Sequence, residues 1–249
     1  PGVMIDPANP IICPGESISI VASGFGSLPP YQYAWSGPTG TATGPQINAN
    51  LPGLYGVSVT DANGCFQTAF SNVTLSPPIT TVIDPAMPMI CSGSSTMVTA
   101  TASGGSSPYL YSWSGPGLTT TTNPAIIFQA GTYTVNVVDN NGCTSSLDVV
   151  ANESSALAVS IQTTTDTICN GQPYMATALV NGGTPPFNYS WSTPEGVFSA
   201  ADINLMTSGL LNLTVTDMAG CSGSAQAEVI EGSFQLSFFA EDASCPGVD

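Results

Sequence analysis

One interval of 78 residues recurs through this chain and constrains its fold more than any other feature. Three sets of residues repeat at that interval: Cys13, Cys91 and Cys169; Trp35, Trp113 and Trp191; Cys65, Cys143 and Cys221. A fixed period is typical of tandem structural units. The sequence therefore predicts three modules, at residues 1–78, 79–155 and 156–233. Residues 234–249 are expected to begin a fourth module, because Cys245-Pro246-Gly247 repeats Cys13-Pro14-Gly15.

Short stretches of alternating apolar and polar residues predict that each module is built from β-strands. In the second module, Tyr133, Val135 and Val137 alternate with polar residues, as in a strand with one buried face. The pair Asn141-Gly142 predicts a type I′ hairpin turn with positive φ at both residues. We therefore expect an all-β chain, a tandem array of immunoglobulin-like antiparallel β-sandwich modules of about 78 residues each.

The charge composition excludes several classes of function. The chain has 16 acidic residues and no Lys, Arg or His. Nucleic acid and anionic membrane surfaces are not expected as partners, because both are bound largely through Lys and Arg. We expect no enzyme, no catalytic residue and no cofactor, since neither an imidazole base nor a nucleophile in a catalytic arrangement is present. No stretch is apolar enough for membrane insertion, so a soluble segment is expected.

Seven cysteines without a Cys-x-x-Cys pair indicate disulfide bonds and an oxidising compartment. Parity does not choose between two pairings. Bonds within modules would join Cys13 to Cys65, Cys91 to Cys143 and Cys169 to Cys221, leaving Cys245 unpaired. Bonds across the gaps would join Cys65 to Cys91 and continue in that order to Cys245, leaving Cys13 unpaired. We expect the first arrangement, one intramodule disulfide per module, because disulfides usually staple the domain that contains them.

Two groups of side chains are candidate sites. The three tryptophans could stack on sugar rings, but each shares a strand face with other aromatic residues, so we expect Trp35, Trp113 and Trp191 in the cores. Asp61, Asp139 and Asp217 precede hairpin turns, where we expect the carboxylate to make an Asx-type hydrogen bond, with a calcium ion as the alternative. The same calcium hypothesis includes Asp6 and Asp84, which recur ahead of the first cysteine of their modules.

Three motifs of the module together resemble a known family. They are Cys-x-Gly, Gly-Gly-x-x-Pro-[Tyr/Phe]-x-Tyr-x-Trp-Ser and Gly-x-Tyr-x-Val-x-Val-x-Asp-x-x-Gly-Cys, seen for example at residues 185–192 and 53–65. The combination resembles the SprB repeat of giant Bacteroidota cell-surface adhesins. The third copy departs from it at Leu211, where the pattern has tyrosine.

The resemblance implies a long secreted protein, exported by the type IX system and displayed on the bacterial outer membrane for adhesion or gliding motility. We expect a structural stalk whose partners are the neighbouring repeats of the same chain. Two alternatives are a repeat that binds surface polysaccharide or another filament chain, and an accessory array of a secreted hydrolase. The triplet Asp166-Thr167-Ile168 resembles a Bacteroidota O-glycosylation site and makes Thr167 a candidate modification site.

Overall fold

The regular elements of the chain are β-strands throughout the part that the structure describes. This computed structural model describes residues 1–169 and 171–232. The chain divides into two compact units, one made of residues 1–90 and 95–152, the other of residues 91–94 and the chain from residue 153 onward. Among the described residues, no helix long and apolar enough to cross a membrane is found.

The first sandwich belongs to the first unit and has eight strands. They are β1 (Gly2–Asp6), β2 (Ile11–Ile12), β3 (Ile18–Phe25), β4 (Gln32–Gly37), β5 (Gly40–Thr43), β6 (Gln46–Ala49), β7 (Gly53–Thr60) and β8 (Phe66–Leu75). One sheet has the order β1-β3-β6 and the other has the order β2-β8-β7-β4-β5. Pairing is antiparallel except between β2 and β8, which run parallel.

The second sandwich lies mostly in the first unit and repeats this order. Its strands are β9 (Thr80–Asp84), β10 (Met89–Cys91), β11 (Thr96–Ser103), β12 (Leu110–Gly115), β13 (Leu118–Thr120), β14 (Ala125–Ile127), β15 (Gly131–Val138) and β16 (Thr144–Ser154). The two sheets have the orders β9-β11-β14 and β10-β16-β15-β12-β13. Each sheet thus contains one of the first two strands of the repeat.

The third sandwich forms most of the second unit. Its strands are β17 (Ala158–Thr163), β18 (Thr167–Ile168), β19 (Tyr174–Asn181), β20 (Asn188–Thr193), β21 (Gly196–Phe198), β22 (Asp202–Leu205), β23 (Gly209–Thr216) and β24 (Ser222–Glu231). The sheets have the orders β17-β19-β22 and β18-β24-β23-β20-β21. Three- and five-stranded sheets with the same connectivity in every repeat confirm the predicted class, tandem immunoglobulin-like sandwiches.

Alternation along the strands forms the core of each sandwich. In β15, Tyr133, Val135 and Val137 are fully buried, whereas Asn136 between them is exposed. Burial at every second residue follows from the pleat, which sends successive side chains to opposite faces. The tryptophan of β4, β12 or β20 packs into each core and is at most 3% exposed.

In the third core, a tyrosine from the opposite sheet takes the place of a tyrosine that this repeat lacks. Tyr55 and Tyr133 donate their hydroxyl groups to the carbonyls of Leu51 and Gln129, four residues earlier. The third repeat has Leu211 at this position, which cannot make the bond. Tyr174 of β19 instead donates to the carbonyl of Thr207, which is the equivalent acceptor. The hydrogen bond to this carbonyl is thus kept, and its donor comes from a different strand and the other sheet.

The hairpin between β15 and β16 differs from the predicted type I′ turn. Asp139 N–H donates to the Cys143 carbonyl and Gly142 N–H donates to the Asp139 carbonyl, which closes a three-residue loop. Gly142 has a φ of 82°, but Asn141 does not have a positive φ, because every described residue with positive φ is a glycine. The loop is therefore a type I turn followed by a left-handed glycine, which places no such demand on Asn141. The third repeat forms the same loop with Ala219.

Candidate functional site

Two disulfide bonds connect residues of different repeats. Cys13 is bonded to Cys143 and Cys91 to Cys221, each across 130 residues of sequence. The first bond lies in the first compact unit and the second lies in the second unit. In both, the first cysteine of one repeat meets the second cysteine of the next.

The predicted pairing within each module is therefore wrong. Neither Cys13–Cys65, Cys91–Cys143 nor Cys169–Cys221 forms, and the alternative pairing across the gaps does not form either. Cys65 and Cys169 carry free, exposed thiols. Cys245, expected to be unpaired, lies outside the described residues.

The length of a strand explains why a bond within the sandwich cannot form. Cys65 lies in the hairpin that precedes β8, whereas Cys13 follows β2, whose Ile12 pairs with Leu75 at the far end of β8. Ten residues of strand separate these ends by about 33 Å. A disulfide requires Cα atoms about 4.4–6.8 Å apart, and the Cα atoms of Cys13 and Cys143 are 5.4 Å apart.

We call the two ends of a sandwich the entry end and the exit end. In the first sandwich, the entry end comprises the β3–β4 loop and the β7–β8 hairpin with Cys65. The exit end comprises β2, Cys13 and the last residues of β8. At the exit end, Ser76 N–H donates to the Ile12 carbonyl at 2.9 Å, so the chain leaves the sandwich beside Cys13.

The linker from the first sandwich to the second packs against a pair of glycines. A Cβ atom on Gly104 would lie 2.1 Å from the carbonyl oxygen of Pro78, and one on Gly105 would lie 2.9 Å from the Ile79 side chain. Both glycines have positive φ, 76° and 54°. Only glycine permits this backbone conformation together with so close an approach. The linker backbone is thereby held against the entry end of the second sandwich.

Asp139 joins the hairpin to the glycine loop at the same entry end. One carboxylate oxygen, Oδ1, accepts the N–H groups of Asn141 and Cys143, each at 2.9 Å. The other, Oδ2, accepts the N–H of Ser106 at 2.9 Å. The aspartate therefore makes an Asx-type turn and also fixes the loop that receives the linker. These bonds place Cys143, which is 3% exposed, where Cys13 reaches it.

Backbone donors stabilise the ionised form of this aspartate. Burial raises the pKa of Asp139, but the N–H groups of Ser106, Cys143 and Asn141 outweigh burial and hold the pKa below its ordinary value of 3.8. The pKa values of Asp61 and Asp217 are lowered in the same way by backbone donors that outweigh burial. A chain without cationic side chains thus stabilises three buried carboxylates with amide groups.

The second unit contains the same arrangement around Cys221. Asp217 accepts the N–H of Cys221 at 2.8 Å through Oδ1 and the N–H of Thr184 at 2.9 Å through Oδ2. The Ser154 hydroxyl also donates to Oδ2, at 3.2 Å. A Cβ atom on Gly182 would lie 2.1 Å from the Ala156 carbonyl oxygen, the same distance as between a Cβ atom on Gly104 and the Pro78 carbonyl oxygen.

The aspartates proposed as calcium ligands do not converge. Asp6 is exposed and pairs with Val21 inside the sheet, whereas Asp61 lies beside the loop of Leu28 at the entry end. Asp84 is equally exposed at the end of β9. Across residues 1–169 and 171–232, no three His, Cys, Asp or Glu side chains form a group that could hold a metal ion. Calcium binding at these residues stays a prediction that the structure does not support.

The remaining candidates are isolated. Trp35 and Trp191 donate their indole N–H groups to the carbonyls of Gly44 and Ala200 at 2.9 and 2.8 Å, whereas the buried Trp113 N–H has no acceptor. None of these rings presents a face to solvent for a sugar. Thr167 is exposed on β18, and its O-glycosylation remains a prediction.

Comparison with known proteins gives one sequence family and several structures. A SprB repeat model matches residues 84–118, which include β10, the first glycine pair and the buried Trp113. No curated protein sequence matches the chain.

Three solved structures that resemble the chain are tandem immunoglobulin domains. A variant of titin domains I67–I69 has 12% identity and a TM-score of 0.40 over 93% of this chain and 99% of its own. The four N-terminal Ig domains of Dscam1 isoform 8.4 have 14% identity and a TM-score of 0.29 over 92% and 73%. The eight N-terminal Ig domains of a DSCAM isoform have 14% identity and a TM-score of 0.33 over 90% and 35%.

The family match and the strand order agree on the kind of molecule. A SprB repeat on an immunoglobulin-like sandwich is typical of a structural repeat and fits a repeat segment of a cell-surface adhesin. The SprB resemblance that the sequence motifs indicate is therefore confirmed by a family model over residues 84–118, within the second repeat.

Proposed function

We propose that the chain is a stalk segment of a long secreted adhesin, which holds an adhesive region away from the outer membrane of a bacterium. The observation that carries the proposal is the pairing of Cys13 with Cys143 and of Cys91 with Cys221. In each junction, a covalent bond runs beside the linker. Tension on the linker would therefore be shared by the disulfide, which protects the weakest segment of a tandem array.

The surface composition supports a role outside the cell. Disulfides persist in oxidising compartments, and a chain without Lys or Arg offers no cleavage site to trypsin-like proteases. The partners in this proposal are the neighbouring repeats, and the surface needs no ligand site of its own. Adhesion and gliding would then depend on the length and continuity of the array.

In-frame deletion of one whole period tests the proposal in the source bacterium. Removing residues 79–156 keeps the order of cysteines, because Cys13 then precedes Cys221 by the spacing seen at an intact junction. Antibodies against the chain should label intact cells of both strains equally. Adhesion under shear should fall in the shortened strain, and adhesion in still medium should change little.

Two results would contradict the stalk. Labelling that appears only after the cells are opened would exclude surface display. Specific binding of the purified chain to surface polysaccharide, with full adhesion retained by one repeat alone, would show that the repeat is itself the adhesive module. A replacement of Thr119 by Ser on the exposed surface serves as the matched control, because it changes neither length nor cysteine order.

A further inference from the structure

Cys65 and Cys169 are free, although their equivalents among the described residues are bonded. Cys143 and Cys221 are the equivalents of Cys65, and both are buried in disulfides. Cys13 and Cys91 are the equivalents of Cys169. The pairing rule joins a first cysteine to the second cysteine of the following repeat.

We propose that Cys65 and Cys169 are two complementary half-sites for further repeats of the same kind. Cys65 would bond to the first cysteine of a repeat that packs on its entry end. Cys169 would bond to the second cysteine of a repeat that packs on its exit end. The pairing depends on repeat geometry and not on the function proposed above.

The entry end of the first sandwich has the geometry of an occupied junction. Asp61 Oδ1 accepts the N–H groups of Asn63 and Cys65 at 2.9 and 3.0 Å, as Asp139 does around Cys143. Gly64 has the same φ, 82°, as its equivalent in each bonded hairpin. The cysteine backbone is therefore already positioned for a disulfide.

The linker-binding position is also preserved at this end. Gly26 has a φ of 74°, close to the 76° of Gly104 and the 80° of Gly182. At the latter two, the linker carbonyl occupies the space where a Cβ would lie, at 2.1 Å. A third glycine in the same conformation is the residue that a further linker requires.

The turn at Cys169 matches those of the bonded first cysteines. Gln172 N–H donates to the Cys169 carbonyl at 3.0 Å, as Glu16 N–H does to Cys13. Gly171 has a φ of 77°, against 82° at Gly15. At the same exit end, Gly232 N–H donates to the Ile168 carbonyl at 2.9 Å, as Ser76 N–H does to Ile12, so the chain leaves the sandwich beside the cysteine.

Each bond forms by oxidation of two thiols. Both thiols lose a proton, one S–S bond forms, and the two electrons and two protons pass to a disulfide oxidant, which becomes two thiols. Oxidised glutathione serves as that oxidant in vitro and yields two molecules of reduced glutathione. No other group is consumed.

A tandem chain tests the pairing. A second copy is joined so that its Glu16 follows Gly247 of the first, because Cys245-Pro246-Gly247 matches the motif that precedes Glu16. After refolding with oxidised glutathione, free thiols are alkylated and peptides are mapped without reduction. We expect a disulfide between Cys169 of the first copy and Cys65 of the second. Cys65 of the first copy and Cys169 of the second should remain without a repeat partner.

Matched variants make the result decisive. Cys65→Ser in the second copy should free the thiol of Cys169 in the first, whereas Cys65→Ser in the first copy should leave the map unchanged. The Cys91–Cys221 bond in each copy reports correct folding. If that bond forms while Cys169 of the first copy stays free, or bonds elsewhere, the proposal is overturned. A bond that links two separate tandem molecules instead of two repeats of one also overturns it.

Discussion

The length of the oxidised chain under force distinguishes the observed pairing from one within each sandwich. When the unfolded chain is pulled from its two ends, the shortest covalent path runs to Cys13, crosses to Cys143, returns along the backbone to Cys91 and crosses to Cys221. About 90 residues lie on this path, which extends to about 320 Å at ~3.5 Å per residue. The fully reduced chain extends to about 870 Å on the same scale.

The wild-type length alone does not decide the pairing, because three bonds within modules would leave the same number of residues on the path. The variant Cys143→Ser decides it. Loss of the Cys13–Cys143 bond lengthens the path by about 26 residues, or ~90 Å. The matched variant Cys65→Ser, one repeat earlier, removes a free thiol and should add nothing.

Single-molecule force spectroscopy with handles attached to both ends measures these lengths after free thiols are alkylated. Bonds within modules would make Cys65→Ser and Cys143→Ser lengthen the chain equally, each by about 52 residues or ~180 Å. Equal lengthening would therefore refute the assignment of bonds between repeats. Reduction should bring wild type and both variants to one common length, which controls for the handles.

Three further predictions concern the junction and the cores. Gly104→Ala should lower the free energy of unfolding by about 2–4 kcal/mol in denaturant titrations. The control Gly93→Ala should lower it by about 1 kcal/mol, because Gly93 has a similar φ but no neighbouring atom near its Cβ position; equal losses would exclude the linker contact. Trp191→Phe should cost about 1 kcal/mol more than Trp113→Phe, because of these two only the Trp191 indole N–H makes a hydrogen bond, to the Ala200 carbonyl, and thermal unfolding measures the difference. Folding lowers the pKa of Asp139, so the ionised carboxylate stabilises the folded state fully above pH 3.8, and this stabilisation is lost as the pH falls through the folded pKa. Asp139→Asn should therefore reduce the fall of the melting temperature at acidic pH, and an unchanged fall would contradict the prediction.

Sequence reasoning succeeded where the signal was local or periodic. The alternation of Tyr133, Val135 and Val137 is a property of one strand, and the 78-residue interval identifies equivalent positions without any structure. The carboxylate of Asp139 was likewise expected to serve an Asx-type turn, and it accepts the N–H groups of Asn141 and Cys143. These features depend either on a few neighbouring residues or on the period of the sequence itself.

The disulfide partners could not be predicted from the period, because every repeat has cysteines at the same two positions. If every repeat is equivalent, Cys65 and Cys143 are the same position in two successive repeats. The sequence period does not show which of the two lies close to Cys13. The missing information was which end of the sandwich each cysteine occupies. The ten residues of β8 between Cys65 and the exit end contain that information in the sequence, as a distance of about 33 Å.

The hydrogen bond of Tyr174 could not be predicted from the sequence either, because the side chain that replaces the missing tyrosine comes from the other sheet. Sequence alignment of the repeats shows only that Leu211 replaces a tyrosine. The acceptor, the carbonyl of Thr207, stays in place and determines which hydroxyl group can replace the missing one. A pattern read along one strand cannot identify a donor from the facing strand.

Two cysteines per repeat are the smallest number that can bond every repeat to both of its neighbours. Used within one sandwich, the same two would stabilise that sandwich and leave the linker as the sole covalent connection. Each observed bond instead closes a loop that spans two repeats, which stabilises the folded state by about 5 kcal/mol in the chain-entropy model. With no Lys, Arg or His, side-chain ion pairs cannot hold adjoining repeats together. The buried carboxylates of Asp139 and Asp217 accept backbone amides instead, and those same aspartates position the cysteines that make each junction covalent.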